Sequence, residues 1–514
     1  MDDPDLVLGP HGVSAGDVVA VARRDRPVTL GDDARAALER GAAVVDRLVD
    51  QPEPVYGVST GFGALANTVI PPARSAELQV ALIRSHAAGM GPEVEREVVR
   101  AMMLLRARSL AMGYSGVRPE VVETILALLA AGITPVVREH GSLGASGDLA
   151  PLASVALVLL GEGEARRANG SLVDGETALI EADLSPLVLR AKEGLALING
   201  TDGMLGMLVL AIADLDGLAS VADVAAAMSV EALLGTNRAF AEDLIAMRPQ
   251  IGQAVSAANL RSLLAGSAIV ASHRHGDDRV QDAYSLRCAP QVHGVLRDTV
   301  EHARAIAALE LVACIDNPVV LPDGRVESCG NFHGAPLAAV ADFLAVSIAD
   351  VGAISEARTD RLLDPARSHG LPPFLTPDPG VNSGLMLAQY VQAAMVAENR
   401  RLATPASTDT LPTSAMQEDH VSLGWGATRK LRTAVANFAR ILAVEITAAT
   451  FGLTLRSPLA PAAATGAVAD LVRRAAGGPG PDQWMAPRLA AVERAVINGE
   501  VVAAAEGALG VALA

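Results

Sequence analysis

The sequence predicts a mainly α-helical protein: a bundle of long helices preceded by an N-terminal region of shorter elements. Three observations predict it. Hydrophobic residues make up 51% of the chain and aromatics only 3%, so Ala, Val and Leu must fill the core. Ala and Leu are the strongest helix formers, and small side chains let helices approach closely. Apolar positions recur with helical spacing over long stretches, while alternating strand patterns are scarce.

The elements follow in chain order. Asp32 or Asp33 is placed to cap a helix with apolar positions Leu38, Val45, Leu48 and Val49, ended by Pro52. Residues 54–63 read as a short strand and turn. Ser75 is placed to cap a helix carrying Leu78, Leu82 and His86 on one face, with a stop at Gly89. From Met204 onward the segments lengthen. Helices are expected over 291–315, 335–363, 385–402 and 428–455, the first stopped by Asp316-Asn317-Pro318. Helices of that length pack as a bundle. The expected division is an N-terminal domain over 1–199 and a long-helix domain over 200–514. Gly477 to Pro481 reads as a loop between late helices.

Composition narrows the function. The net charge of −17 argues against a nucleic-acid or anionic-membrane partner. Mean hydropathy is +0.33, yet no uninterrupted apolar run approaches the ~18 residues of a membrane span. The acidic start, Met1-Asp2-Asp3-Pro4-Asp5, has no apolar segment and is not a secretory signal. Three scattered cysteines, Cys288, Cys314 and Cys329, make neither a disulfide frame nor a zinc site, which fits a reducing cytoplasm. The only lysines are Lys192 and Lys430. Neither sits in a P-loop, and neither has the setting of a Schiff-base lysine.

Two motifs point to chemistries the rest of the chain does not support. Gly57-Val58-Ser59-Thr60-Gly61 matches a nucleophile elbow, but a Ser59 hydrolase needs a strand–turn–helix on a parallel sheet. Gly61-Phe62-Gly63-Ala64-Leu65-Ala66 loosely matches a dinucleotide fingerprint, yet the nearest acid, Glu77, falls in a helical run. His273-Arg274-His275-Gly276-Asp277-Asp278 reads as a solvated polar loop, and no metal site is expected.

Gly141-Ser142-Leu143-Gly144-Ala145-Ser146-Gly147-Asp148 differs from all of these. A helix cap near Asp148 explains the Asp and the following Pro151. It does not explain three glycines around Ala-Ser in a chain so rich in helix formers. A forced tight turn of this composition can cyclise. The Gly147 nitrogen attacks the Ala145 carbonyl, water leaves, and Ser146 loses its hydroxyl to become an exocyclic methylidene. Glycine at the attacking nitrogen keeps the ring uncrowded. The product is an electrophile carried by the protein itself.

Polar, Gly- or Pro-containing clusters precede four helices: Gly141 to Asp148, Gln281 to Arg287, Ser328 to His333 and Thr413 to Asp419. Helix N-termini carry partial positive charge and free N–H groups. If they converge, they suit developing negative charge. Of only four tyrosines, Tyr56 and Tyr284 sit in unusual clusters. A tyrosine at a helix mouth can act as acid or base. Arg287, three residues after Tyr284, is suited to a substrate carboxylate.

At this point the chain resembles a known family. Gly144-Ala145-Ser146-Gly147-Asp148-Leu149 resembles the methylidene-imidazolone (MIO) signature of aromatic amino-acid ammonia-lyases and aminomutases. The resemblance continues through Tyr56-Gly57-Val58-Ser59-Thr60-Gly61-Phe62-Gly63, Asn199-Gly200-Thr201 and Gln281-Asp282-Ala283-Tyr284-Ser285-Leu286-Arg287-Cys288. It extends to Asp316-Asn317-Pro318, Gly330-Asn331-Phe332-His333 and Gln417-Glu418-Asp419-His420-Val421-Ser422. Within the family, Ser85-His86 and Glu418 resemble the members that act on L-histidine. Phenylalanine- and tyrosine-specific members typically carry Phe-Leu or His-Leu at the first place and Gln at the second. A His and a carboxylate can pair with an imidazole, whereas a benzyl group would leave them unsatisfied.

The resemblance implies the following. The fold is that of the aspartase and ammonia-lyase helical bundles. Ala145, Ser146 and Gly147 form the MIO group, and no metal or diffusible cofactor is needed. Tyr56 handles a proton beside it. Asn199 and Tyr284 lie close to it, Tyr284 sharing proton transfer or helping to form the group. Arg287 binds the substrate carboxylate. Gln281, Asn331 and Phe332 line the pocket. Ser85 and His86 read the substrate, with His86 on the imidazole, and Glu418 either orients the ring or acts as a base. The reaction is ammonia elimination from L-histidine to trans-urocanate, by a cytoplasmic homotetramer whose active sites are shared between subunits. Tyrosine or phenylalanine lyases and aminomutases, a Ser59 hydrolase and a non-catalytic helical scaffold are the alternatives. Met416 departs from the family, where a polar residue is common.

Overall fold

The apolar periodicities fold as expected in a computed structural model that describes residues 5–49, 51, 53–277 and 279–514. Among the described residues there are twenty α-helices, with strands confined to four small sheets of two or three strands. The chain divides into two compact units. Unit 1 holds the chain up to Leu210 together with Arg304–Ala341 and Pro405–Arg429. Unit 2 holds Ala211–Ala303, Asp342–Thr404 and Lys430–Ala514. This partition differs from the contiguous division at 199/200, because two later segments return to unit 1.

Unit 1 is built around the Arg96–Ala111 helix, buried along its whole length from Val98. The Ala15–Arg24 and Pro119–Ala130 helices pack on it. Each fully buried Leu or Val on such a helix stabilises the fold by about 1.5–3 kcal/mol. The Leu149–Leu159 helix packs against the Ser75–His86 and Glu193–Ile198 helices. Four of the predicted details are corrected. The Asp32–Leu48 helix is capped by Gly31, and Asp32 and Asp33 lie in its first turn, where their charge suits the helix dipole. Ser75 is the first helical residue rather than the cap, which is Arg74, and the helix ends at His86. Residues 54–63 form turns, with a single bridge from Thr60 to Val69 in place of a strand. The helix expected over 291–315 is Ala289–Glu310. It ends early because buried Arg108 takes the Glu310 and Ala313 carbonyls at 3.2 and 2.5 Å. Pro52 and Asp278, read above as a helix stop and part of a polar loop, lie outside the described residues, as do Met1 to Pro4.

Unit 2 is held by long helices and buried charge. Glu445 accepts hydrogen bonds from Arg358 Nε at 2.5 Å and Nη2 at 3.0 Å, from Ser229 at 2.7 Å and from Ser355 at 2.6 Å. Asp223 accepts from His293 Nδ1 at 2.8 Å, Arg297 at 2.7 Å and Asn259 at 2.9 Å. These carboxylates tie helices distant in sequence into one packing arrangement.

One further reading is corrected. Asp202–Ala232, Ala335–Leu363 and Gly424–Leu455 are long and apolar enough to cross a membrane by length and composition alone. Their most apolar windows are 72%, 67% and 83% buried within the protein. The surface a lipid would cover is therefore largely covered by protein already.

Candidate active site

The Ala-Ser-Gly turn is clamped from two sides by backbone. Asp148 N donates to the Gly200 carbonyl at 2.7 Å, and Gly147 forms an isolated bridge with Gly200. Gly147 has a φ of +77°, and a Cβ there would lie 2.1 Å from Gly200 O. No other residue fits this place. On the other side Leu423 N donates to Leu143 O at 2.8 Å, and Ser422 Oγ to Gly144 O at 3.2 Å. Ser142 Oγ lies within the turn, 3.0 Å from Asp148 Oδ1 and 3.1 Å from Gly144 N.

Helix N-termini meet at this turn. The turn leads into the Leu149–Leu159 helix. Asp148 occupies the N-cap position of that helix, yet its Oδ2 accepts from Gly203 N and Met204 N, each at 2.9 Å, at the start of the Asp202–Ala232 helix. Gly334 and Gly424 both pack on Met204, where a Cβ on either would lie 2.4 Å from its sulfur. They begin the Ala335–Leu363 and Gly424–Leu455 helices. Two of the four clusters singled out in the sequence thus lead into helices whose first residues surround the third, Gly141 to Asp148. Their dipoles favour negative charge near the turn. Burial pushes Asp148 up to about 7, with the donors from Met204, Ser142 and Gly203 pulling against it and the charge of Asp202 adding to it.

A cavity of about 520 Å³ opens beside Ser146. Tyr56, Ser85, His86, Asn199 and Glu418 all line it, together with Phe62, Leu82, Leu195, Asn317 and Ser414. His86 Nδ1 lies 2.8 Å from the Leu82 carbonyl. A carbonyl only accepts, so Nδ1–H donates to it, and Nε2 has no hydrogen-bond partner among the described residues. Ser85 Oγ donates to the same carbonyl at 3.0 Å and lies 3.1 Å from His86 Nδ1. Tyr56 Oη accepts from Gly63 N at 3.4 Å, and its ring meets Phe62 edge-on at 6.4 Å. Burial raises the Tyr56 phenol above its ordinary value of 10.0; the Gly63 N–H opposes this and the Glu418 charge adds to it. Tyr56 therefore holds its proton at neutral pH. Glu418 is fixed by Thr413 Oγ1, which donates to Oε2 at 2.8 Å.

Two loops join at this wall. Ser414 Oγ accepts from Ala64 N at 3.1 Å. Ser414, Ala415 and Met416 have φ values of 48°, 50° and 72°. Three successive left-handed non-glycine residues store strain of about 1–2 kcal/mol each. The Thr413–Glu418 bridge closes the turn, so the strain is held where it presents Glu418.

The remaining predicted residues lie elsewhere. Asn331 and Phe332 belong to unit 1 but are not among the residues lining this cavity; Asn331 Nδ2 donates to the Cys314 carbonyl at 3.1 Å. Gln281, Tyr284 and Arg287 belong to unit 2. There Arg287 Nε donates to Asp282 O at 3.0 Å, its guanidinium lies 4.6 Å over the Tyr284 ring, and Tyr284 is 71% exposed. Ser59 Oγ accepts from Val55 N at 3.0 Å and lies outside the cavity lining, so no nucleophile elbow forms. Sequence reasoning missed Ser414 and the cavity role of Asn317. The Ser414 contact spans 350 positions, and no local spacing announces it.

Residues 13–474 match the aromatic amino acid lyase family, and the chain belongs to it. The chain is 59% identical over 507 residues to a histidine ammonia-lyase of Streptomyces coelicolor, covering 98% of this chain and 99% of that protein. A histidine ammonia-lyase of Deinococcus radiodurans is 48% identical, over 95% of this chain and 93% of that one. Among solved structures, histidine ammonia-lyase from Trypanosoma cruzi superposes with a TM-score of 0.89 at 38% identity, over 98% and 95% of the two chains. Tyrosine aminomutase from Streptomyces globisporus superposes with a TM-score of 0.92 at 35% identity, over 99% and 100%.

Proposed function

We propose that this ammonia-lyase eliminates ammonia from L-histidine to give trans-urocanate. The observation that carries the reading is the cavity that unites Ser146, Tyr56 and Glu418 with His86, whose Nδ1 is held by the Leu82 carbonyl. His86 is placed to accept the N–H of a substrate imidazole at Nε2. Glu418 is a second acceptor for that ring, or the base that removes the β-proton. A benzyl side chain would leave both unsatisfied and desolvated.

Ala145, Ser146 and Gly147 are the residues that would form the MIO group. The turn suits it: its α-carbon at Gly147 is pressed against the Gly200 backbone, where only glycine fits. Once formed, the group supplies an electrophile that turns the substrate amine into a better leaving group. The chain's own residues do the rest. Converging helix N-termini stabilise negative charge that develops near the turn. Tyr56, protonated in the free protein, is placed to give or return a proton. Asn199 offers a polar contact beside Ser146.

We further propose that Gln281, Tyr284 and Arg287 serve the active site of a neighbouring subunit in a homotetramer, with Arg287 on the substrate carboxylate and Asn331 and Phe332 completing the pocket. The exposure of Tyr284 supports this. So does the apolar face of Leu387, Tyr390 and Val391, which are 57%, 59% and 51% exposed. The cytoplasm suits three free cysteines.

The test is direct. Purified protein is mixed with L-histidine and near-UV absorbance is followed, with Ser146→Ala in parallel. Urocanate forms with the native chain and not with the variant. A flat trace from the native chain, with turnover of L-tyrosine or formation of a β-amino acid instead, would overturn the histidine reading.

A further inference from the structure

Lys192 and Asp316 form a fully buried ion pair at 2.7 Å, each side chain 0% exposed. Lys192 stands at φ +67° before the Glu193–Ile198 helix. That is an unusual place for one of only two lysines in the chain. The pair is not part of the cavity lining, but it touches a residue that is. Asp316 Oδ2 takes the Lys192 ammonium, while Oδ1 accepts from Asn199 Nδ2 at 3.2 Å and from Asn317 N at 2.7 Å. Asn199 Nδ2 also donates to Asn317 O at 2.5 Å. Both groups facing Nδ2 are acceptors only, so the amide has one allowed orientation. Asn199 is 1% exposed, and its Oδ1 has no partner among the described residues. A buried acceptor left without a donor marks where one is missing.

We propose that Lys192 and Asp316 are positioning residues for catalysis: the ion pair fixes Asn199 so that its Oδ1, and not its NH₂, faces the reacting end of the cavity. This rests on the lyase reading above. The donor that Oδ1 awaits is the N–H of the substrate amino group. Lys192 acts by claiming Oδ2, which reserves Oδ1 for Asn199. Arg106 Nη1 donates to the Asn199 backbone carbonyl at 2.7 Å and pins the main chain, so the side-chain amide is the remaining freedom.

Asp316→Asn tests the relay. The new amide oxygen is drawn to the Lys192 ammonium, which turns the new NH₂ toward Asn199 Nδ2. Asn199 Nδ2 then faces a donor on one side and keeps only the Asn317 carbonyl on the other, so the amide is no longer held and Oδ1 is not kept in place for the substrate amine. The kcat falls roughly 100-fold, the scale of losing one preorganised polar contact, while KM changes by less than about threefold. Lys192→Gln combined with Asp316→Asn supplies a neutral acceptor at 192, restores Asn199 and regains kcat to within about fivefold of native. In an Asn199→Ala background, Asp316→Asn costs less than about twofold. Intact mass and melting curves are read for every variant.

The proposal is overturned if Asp316→Asn no longer loses water at the Ala-Ser-Gly turn. It is overturned too if the paired variant folds as well as native yet is no faster than the single one, or if the Asn199→Ala background leaves the full loss. Absence of histidine turnover in the native chain is a separate failure, of the lyase reading itself.

Discussion

The reactive turn of unit 1 and the long helices of unit 2 are held by different means. Unit 1 fixes its reactive turn chiefly with backbone, Gly147 against Gly200 and Leu143 against Leu423, helped by the Ser422 hydroxyl on Gly144 O and the Asp148 carboxylate on the first N–H groups of a helix. Unit 2 fixes its long helices with charged side chains, Arg358 on Glu445 and His293 and Arg297 on Asp223. The difference teaches where each tolerates change. In unit 1 one added methyl group meets backbone that cannot move aside. Among the unit 2 helices a buried charge left alone cannot be tolerated.

The largest effect is expected at the turn. Gly147→Ala places a Cβ 2.1 Å from Gly200 O, and turnover falls by at least about 10³-fold in a steady-state assay. A loss under about tenfold would break the claim that backbone contact sets the turn. Next is unit 2. Glu445→Leu strands buried Arg358 and costs about 3–5 kcal/mol in urea unfolding, while the Arg358→Leu, Glu445→Leu pair regains most of it. Equal losses in the single and paired variants would remove the ion pair as the cause.

His86→Leu sharpens the role of unit 1. It lowers kcat/KM for L-histidine by about 10–100-fold, roughly 1–3 kcal/mol, and raises activity on L-phenylalanine relative to it. An unchanged ratio of the two substrates would remove His86 from substrate reading. The smallest effect is in pH. Asp148 is raised from 3.8 to about 7, so the folded state holds its proton where the unfolded state does not. That contribution is complete below pH 3.8, fades as pH rises to about 7 and is absent above it. Asp148→Asn therefore narrows its gap in stability to the native chain across that window, as read from urea midpoints at a series of pH values. A gap independent of pH would contradict the raised value.

The helices and the turn were legible in the sequence for the same reason: each is a local pattern. Residues 335–363 carry apolar positions at helical spacing, with the proline, Pro336, confined to the first turn, and the structure forms one helix there, Ala335–Leu363. Ala145-Ser146-Gly147 announced itself because its chemistry requires those neighbours in that order. Ser85, His86 and Glu418 were found through resemblance, and the cavity gathers them with Tyr56 and Asn199. Lys192 was set aside as having no Schiff-base setting, and its φ of +67° and its partner 124 positions away leave no trace in local spacing. Ser414 was hidden likewise, since its contact with Ala64 depends on two loops meeting in space. Membrane-length helices were missed because scattered polar residues interrupt each run, although the windows remain apolar on average.

The central claim is that the turn between Gly144 and Asp148 is held ready to cyclise. Intact-mass measurement of the purified native chain tests it most directly, with Gly147→Ala beside it. Ring closure releases one water and the Ser146 hydroxyl leaves as another. The account therefore predicts a native chain lighter than its sequence by both waters and a variant at its full sequence mass. A native chain at full sequence mass would contradict it.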